Sequence, residues 1–420
     1  MFKVTKFGGS SLSNPSQWKK VKEIIENDES RKVVVVSALG KDNERVAKIT
    51  DLFLLLYRHI ELGIDHTALF EDISLRFLEI KNNLDLSMNI EKDLNSLEKE
   101  LNKKISEDYL VSRGEYLTAK LMSDYLGYYF LDAAKSIFVD FGGSVKYEET
   151  SIALKEAFLK HKKIVVPGFY SMAPLKKIKL FSRGGSDITG SIISKVLQPD
   201  LYENWTDVNG LSVADPHVVK DVDLIKQITY SELRELSYRG ANVIHEETII
   251  PLMEDNIPLL IKNTNNPFEI GTTISNVMKD DSNYITAITG KKDFVSFNIV
   301  KNSMFSKIKV LTDVLNVFNR YNVNIENIPS GIDSFSVVVE GIQVKNCNFE
   351  LINEIYNVPG VQDVKIEESI SLIAVVGRNM ANIPGVAGKL FKALGDSKIN
   401  IKIIVQSTVE LSIVIGVSND

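Results

Sequence analysis

The chain has 420 residues, 44% of them hydrophobic and 25% charged, with a formal net charge of −6. That length suggests two or three domains, the balance is ordinary for a soluble chain, and the negative charge gives non-specific nucleic-acid binding no electrostatic support. The single cysteine, Cys347, excludes a disulfide framework and a thiolate metal site, and fits a reducing compartment. Apolar runs such as 33–36 and 52–56 are far too short to span a bilayer, and a motif begins at residue 6, leaving no room for a signal peptide. No membrane partner is expected, and the cytoplasm is the expected setting.

An apolar-alternating start at 2–5 predicts a strand, and residues from 14 onward predict a helix. Between them stands Lys6-Phe7-Gly8-Gly9-Ser10-Ser11. Strand, two glycines, hydroxyls and helix make a phosphate-binding arrangement. The glycines let the backbone approach phosphate oxygens and offer N–H donors, while Lys6 adds a positive charge. A tight turn that happens to follow a lysine is the alternative. Neither the P-loop spacing nor Gly-x-Gly-x-x-Gly occurs, so a nucleotide site here belongs to another fold.

The four valines at 33–36 predict a strand buried on both faces, and 163–166 reads the same way before Pro167-Gly168. Between them, 83–125 is long, charged and helix-periodic, with a break expected at Ser112-Arg113-Gly114-Glu115. Glu115 is placed there to meet an ammonium group, or else to be a solvated helix-start glutamate. Lys176-Lys177-Ile178-Lys179 reads as a solvated strand or hairpin. A second glycine turn, Phe181-Ser182-Arg183-Gly184-Gly185-Ser186-Asp187, opens a helical run at 188–197. A helix start favours an anion, and Arg183 has the fork to clamp a carboxylate, whereas Asp187 can equally complement the dipole. Trp205-Thr206-Asp207-Val208-Asn209-Gly210, continued by Ala214-Asp215-Pro216, is a strand end entering a turn, which needs such residues anyway. His245-Glu246-Glu247 lacks the second histidine of a zinc helix. With a further strand at 257–261, the alternation argues an α/β domain with a largely parallel sheet, whose ligands sit at strand carboxyl ends. The Lys6 turn falls at such an end.

After Gly271 the character changes, and an internal repeat appears. The run 310–318 followed by Val323-Asn324-Ile325 matches 386–394 followed by Ile399-Asn400-Ile401. Each copy reads strand, helix, Asn-Ile, strand, then another strand, at 334–339 and 410–416. Two such copies suggest paired βαββαβ modules, against the alternative of two unrelated crossovers.

Taken in order, Lys6-Phe7-Gly8-Gly9-Ser10-Ser11, Arg113-Gly114-Glu115, Arg183-Gly184-Gly185-Ser186-Asp187, Thr206-Asp207-Val208-Asn209-Gly210 and Ala214-Asp215-Pro216 resemble the signature set of the aspartokinase family. Glu232-Leu233-Arg234-Glu235-Leu236, the stretch 240–245, Ile261-Lys262-Asn263-Thr264 and Gly271-Thr272 add to it, and the tandem repeats resemble ACT domains. The resemblance implies an α/β fold: an amino-acid-kinase αβα sandwich with a mainly parallel sheet, followed by two ferredoxin-like βαββαβ ACT modules. The expected division is 1–280 for the kinase domain, 285–365 and 366–420 for the two modules, with strand exchange between the modules left open. Lys48-Ile49-Thr50-Asp51-Leu52 and Pro329-Ser330-Gly331-Ile332-Asp333 resemble the monofunctional bacterial enzymes that respond to lysine, and the length leaves no room for a homoserine dehydrogenase half.

The implied activity is transfer of the ATP γ-phosphoryl group to the β-carboxylate of L-aspartate, the first step towards lysine, threonine and methionine. The resemblance implies that Lys6 and the amides of Gly8 and Gly9 hold the phosphoryl group, with Ser10 beside them and Ser37 facing the phosphates. It implies that Arg183, helped by Thr50, grips a carboxylate of aspartate and that Glu115 binds its α-ammonium. Asp187 would organise Lys6 and the region of Mg²⁺, for which no protein ligand is named. Thr206 and Asp207 would contact the nucleotide, with Ser212 to His217 around the adenine and ribose. Relatives often have glycine at Ser182, threonine at Ser10, tyrosine at Ser212, arginine at His217 and lysine at Asn242, which touches the nucleotide contacts rather than the reaction. Feedback by lysine, with threonine as alternative or partner, would use Met304 and Ser306 before one helix, Glu326 after it, and the turn Ser330, Gly331, Asp333 and Ser334. At least a homodimer is expected. Another kinase of the superfamily is argued against by the tandem modules, and an amino-acid sensor with a decayed kinase domain by the intact Lys6, Glu115, Arg183 and Asp187.

Overall fold

The structure, a computed structural model, describes residues 1–42, 45–102, 104–182, 184–240, 244, 246–278, 285–302, 306–378, 380, 383–406 and 411–419. The chain divides into two compact units. Residues 1–211, 224–230 and 243–278 form the first, and 212–223, 231–242 and 279–420 the second.

The first unit begins with β1 (Lys3–Phe7), α1 (Pro15–Glu26), β2 (Arg31–Val36), α2 (Ile49–Leu62), α3 (Thr67–Asn83), α4 (Ile90–Glu100), α5 (Glu107–Leu126) and β3 (Tyr129–Phe130). It continues through α6 (Tyr147–His161), β4 (Ile164–Pro167), the hairpin β5 (Tyr170–Ala173) and β6 (Lys177–Leu180), α7 (Gly185–Leu197) and β7 (Leu201–Thr206). Then come β8 (Leu211–Ser212), β9 (Leu224–Ile225), β10 (Gln227–Thr229), α8 (Tyr230–Tyr238), α9 (Glu246–Glu254), β11 (Leu259–Asn263) and β12 (Thr272–Ser275), of which β8 and α8 carry the chain into the second unit. The sheet runs β10-β12-β11-β7-β1-β2-β4-β3 and is parallel at every pairing except β11 with β12. This is the mainly parallel α/β architecture expected. The valines of β2 are fully buried, as a strand covered on both faces requires. Asn14 caps α1, accepting from the Gln17 N–H at 3.1 Å, and Pro15 stands in the first turn, where its missing donor costs nothing.

Two expectations for 83–125 fail. The stretch is not one helical region: α4 ends at Glu100 and α5 starts at Glu107 behind the Ser106 cap. Nor does α5 break at 112–115. Gly114 lies inside it because a Cβ there would stand 3.0 Å from the Ala38 Cβ and 3.1 Å from Ile49 Cγ2. The glycine is a notch for close approach, not a helix breaker. The lysine-rich segment forms β6 paired antiparallel with β5, as a hairpin.

The second unit contains β13 (Ala287–Lys301), α10 (Lys307–Arg320), β14 (Ile325–Asn327), β15 (Ser334–Glu340), α11 (Gly341–Val344), α12 (Asn348–Tyr356), β16 (Val361–Val376), α13 (Val386–Asp396), β17 (Ile403–Gln406) and β18 (Ser412–Ser418). These strands form one antiparallel sheet in the order β14-β15-β13-β16-β18-β17. The repeat is visible as strand-helix-strand-strand twice, with β14 and β17 at opposite edges. The long strands β13 and β16 serve both copies: 287–291 pairs with 372–376 beside β18, and 294–301 pairs with 361–370 beside β15. Residues 365 and 366 both fall within β16. Phe297, Phe318, Phe335, Val314 and Leu351 fill the core of the first copy, and Ile413, Ile415 and Val386 that of the second. No helix among the described residues is long and apolar enough to cross a membrane.

Candidate functional site

Lys6 lies near the carboxyl end of β1, between β2 and β7, and is 7% exposed. Its Nζ sits 2.6 Å from Asp187 Oδ1 and donates to Asn204 Oδ1 at 3.4 Å. Asn204 Nδ2 donates to the same Asp187 oxygen at 2.9 Å. Asn204 is the register partner of Lys6 on β7, and Asp187 stands in the first turn of α7, behind Gly184 at φ +77°. Strand, strand and helix start thus converge on one ammonium.

Beyond Lys6, the Gly8 N–H donates to the Trp205 carbonyl at 3.0 Å, and the chain enters a short 3-10 turn, Gly9–Leu12. The loop after β2 closes over this turn. Gly40 N–H donates to the Gly9 carbonyl at 2.9 Å, and a Cβ on Gly40 would stand 2.3 Å from that oxygen. Only glycine permits so close an approach of two backbones. The same loop anchors its neighbours in turn: Ser37 N–H to the Phe7 carbonyl at 3.1 Å, and Ile49 N–H, at the start of α2, to the Leu39 carbonyl at 3.1 Å. Half-buried Thr50 follows directly.

Glu115 projects from α5 and is 4% exposed, so its solvated alternative is overturned. Burial pushes its carboxyl up to about 8, against the pull of the Ala38 N–H and the Arg113 charge. Its Oε2 is buried without a hydrogen-bond partner. A carboxyl held in this way has strong reason to take up a cation, because an unpaired buried oxygen is costly.

The other expected residues distribute unevenly. Thr206 Oγ1 donates to Asp207 Oδ1 at 3.2 Å at the end of β7, and the Thr264 N–H reaches the Thr206 carbonyl at 2.9 Å. Ser10 is half-buried in the glycine turn. Ser182 donates to Glu247 at 2.7 Å. Ser212 and His217 belong to 212–223, part of the second unit, where exposed His217 Nδ1 lies 3.0 Å from Asp215 Oδ1. Arg183, Asn242, His245 and Met304 lie outside the described residues.

In the second unit, Asp333 Oδ1 lies 3.1 Å from Lys301 Nζ, Lys307 Nζ donates to the Gly331 carbonyl, and Gly331 N–H donates to the Ser334 carbonyl at 2.9 Å. Ser306 stands at the residue before α10 without a side-chain capping bond, and Ser330 bridges to Phe335. Glu326 stands apart from this group. On β14 it lies level with Val338 and Val339, about 16 Å along β15 from Ser334. There Arg239 Nη1 holds it at 2.6 Å while Arg239 Nε holds Glu235 at 3.0 Å.

Two site features are absent from the motif reading: Asn204 and the loop residues Ala38 and Gly40. Asn204 was visible in principle as a polar residue within an otherwise buried strand, although its neighbour Glu203 is equally polar and serves structure. Glu203 is clamped by Arg31 at 2.7 and 3.2 Å and by Lys3 at 3.1 Å.

Residues 1–263 match the amino acid kinase family and 373–420 match the ACT domain. Aspartokinase 3 of Bacillus subtilis is 34% identical over 99% of this chain and 95% of its own length. The bifunctional aspartokinase/homoserine dehydrogenase of Haemophilus influenzae is 30% identical over 98% of this chain, which spans 54% of that longer protein. The solved aspartate kinase of Clostridium acetobutylicum superposes with a TM-score of 0.91 at 41% identity, over 100% of this chain and 96% of that one. Escherichia coli aspartokinase III, solved with aspartate and ADP, shares the fold at a TM-score of 0.76 and 21% identity, over 100% of this chain and 96% of that one. With these matches running the length of both units, the chain belongs to the aspartokinase family, ATP-dependent enzymes that phosphorylate the β-carboxylate of L-aspartate.

Proposed function

We propose that the Lys6–Asp187–Asn204 cluster and the Gly8-Gly9 turn receive the transferring phosphoryl group, and that Glu115 takes the α-ammonium of aspartate. The observation that carries this is the loop at 37–40, which touches both: Gly40 lies on Gly9 while Ala38 lies on Glu115 and Gly114. Lys6 lies on a strand end, and ligands of parallel sheets bind there. The Asp187 carboxylate and the Asn204 amide fix the ammonium in place before any substrate arrives, which is the preorganisation charge stabilisation needs.

The acceptor is a carboxylate of ordinary pKa near 3.9, ionised at neutral pH, so no general base is required. Phosphoryl transfer then asks for alignment and for positive charge against the transferring oxygens. Lys6 provides that charge, and the backbone of Gly8 and Gly9 admits the phosphate closely. Arg183, with Thr50, is assigned to a carboxylate of aspartate, Ser37 to the phosphates, and Ser10, Thr206, Asp207, Ser212 and His217 to the nucleotide. Mg²⁺ keeps most of its waters and rides on substrate phosphates, so no protein ligand is assigned to it. When bound with the nucleotide, Mg²⁺ supplies neutralisation of phosphate charge, and Asp187 is the carboxylate at hand to hold its waters.

The second unit is assigned to feedback control by lysine, with threonine as alternative or partner. Support comes from the ACT match and from the cluster of Ser306, Ser330, Gly331, Asp333 and Ser334 beside Lys301 and Lys307, where hydroxyls, amides and a half-exposed carboxylate suit an amino acid. The like-folded Escherichia coli enzyme has been solved with lysine and aspartate in a T-state. In the same reading, 1–280 is the catalytic domain, 285–365 and 366–420 are the sensing modules, the setting is the cytoplasm, and the chain forms at least a homodimer, since β14 and β17 leave open sheet edges. A hydroxylamine trap for acyl phosphate, run with ATP over a panel of acidic amino acids and titrated with lysine and threonine, tests it. Acyl phosphate formed from aspartate and suppressed by lysine is the expected result. Insensitivity to both amino acids would sink the regulatory half.

A further inference from the structure

Arg76 is a buried charge that the site as described leaves without a purpose. It stands on α3, is 2% exposed, and makes no ion pair among the described residues. Its Nε is buried without a partner. Its two terminal nitrogens donate instead to main-chain carbonyls, Nη1 to Ala47 at 2.9 Å and Nη2 to Gly40 at 2.5 Å. Asp42, Asp72 and Glu79 act on this guanidinium only from beyond ion-pair distance, and the Arg45 charge opposes them. Holding it out of water is therefore expensive, and apolar side chains such as its neighbours Ile73, Phe77 and Ile80 would pack that helix face at less cost. The cost is explained by what the two carbonyls belong to.

Gly40 is one hydrogen bond from the phosphate turn, through its N–H to the Gly9 carbonyl at 2.9 Å, in contact so close that a single methyl group would not fit. Ala47 stands just before α2, whose second residue is Thr50 and whose first donates to Leu39. One planar guanidinium therefore ties together the strand-end segment that touches Gly9 and the helix start that carries Thr50. We propose that Arg76 is a positioning residue for phosphoryl transfer: by spanning the Gly40 and Ala47 carbonyls it sets the spacing between the phosphate turn and the aspartate-gripping start of α2. It touches neither substrate. Lysine cannot replace it, because one ammonium lacks the fork that reaches two fixed carbonyls at once.

The proposal rests on the assignment of the Gly8-Gly9 turn and Thr50 to the two substrates. The test uses the full chain with Arg76→Lys, Gly40→Ala, the double variant, and Lys6→Met as a control on that assignment. Arg76→Lys should keep its circular dichroism and cooperative melt yet lose about 10- to 100-fold in kcat, with both KM values moving less than about threefold, since misalignment is felt chiefly in the transition state. Gly40→Ala, which leaves Arg76 intact, should show the same signature, and the double variant should be no worse than the poorer single one. Should Arg76→Lys not fold, Gly40→Ala carries the test. Normal kcat in Arg76→Lys, a loss that matches only the unfolded fraction, or additive losses in the double variant would overturn the proposal. Full activity in Lys6→Met would instead sink the substrate assignment, whatever the Arg76 variants do.

Discussion

The two units hold the charges assigned to catalysis and to sensing differently, both with a buried lysine but with the carboxylate shielded in one and exposed in the other. In the first, Lys6 and Asp187 meet with side chains 9% and 19% exposed, on a parallel strand and a helix start remote in sequence. In the second, Lys301, its side chain 8% exposed, meets Asp333, 60% exposed, at the end of the β13–β15 antiparallel pair, so the difference lies in the carboxylate. A pair shielded from water is strong and fixed, which suits a group that must already point at a phosphate before it arrives. A pair whose carboxylate stands in water is weakened on that side, and the carboxylate can turn to a ligand at small cost, which suits a sensor. Glu326 shows that the division lies in burial rather than in the unit, since its pair with Arg239 is 14% and 9% exposed and behaves as structure.

The largest expected effect is on the fixed pair. Lys6→Ala should lower kcat by roughly 10²–10³ with unchanged circular dichroism, because one preorganised charge is lost from the transition state. Near-normal kcat would end the distinction. Next comes Glu115→Gln, which should raise the KM for aspartate about 30-fold or more, since it strips the charge from a buried ion partner. Its pH behaviour sharpens the point. The folded carboxyl titrates at about 8, above its ordinary 4.5, so the folded chain holds a proton that the unfolded chain has released. Stability of the first unit should therefore fall as pH rises from 4.5 towards 8, by up to about 1.4 kcal/mol per pH unit. Over the upper part of that range the KM for aspartate should improve, as the carboxyl loses the proton that competes with the ammonium. Both slopes should vanish in Glu115→Gln, as followed by urea titrations and initial rates from pH 6 to about 8.5.

Smaller effects are expected in the second unit. Glu326→Gln leaves Arg239 with a weaker partner and should cost about 2–3 kcal/mol in urea unfolding while lysine inhibition persists. Asp333→Ala should cost less than about 1 kcal/mol, yet raise the lysine concentration for half-inhibition at least about fivefold. The reverse outcome, with Glu326 governing inhibition and Asp333 governing stability, would move the sensor site to the far end of β15.

Much of this protein was legible in its residues because the signals are local. A short run of β-branched valines favours a doubly covered strand, an Asn-Pro pair starts α1, two glycines after a strand allow a close backbone approach, and a repeated aliphatic register announces paired modules. Gly114 was misjudged because a glycine notch and a glycine break look the same until the neighbouring Ala38 and Ile49 are in place. The burial of Glu115, the bond of Asn204 to Asp187, and the parting of Glu326 from Asp333 were likewise invisible, since each depends on residues brought close by sheet order and strand length. Sequence alone determined most of the elements, though not the division and continuity of the helices at 83–125, and where the glycine turns at 8–9 and 184–185 fall, because backbone preference and hydrophobic period act over a few residues. Only tertiary structure decided which charges are shielded, which carbonyls Arg76 ties together, and that β13 and β16 serve both repeats, because dielectric and contact are properties of neighbours in space.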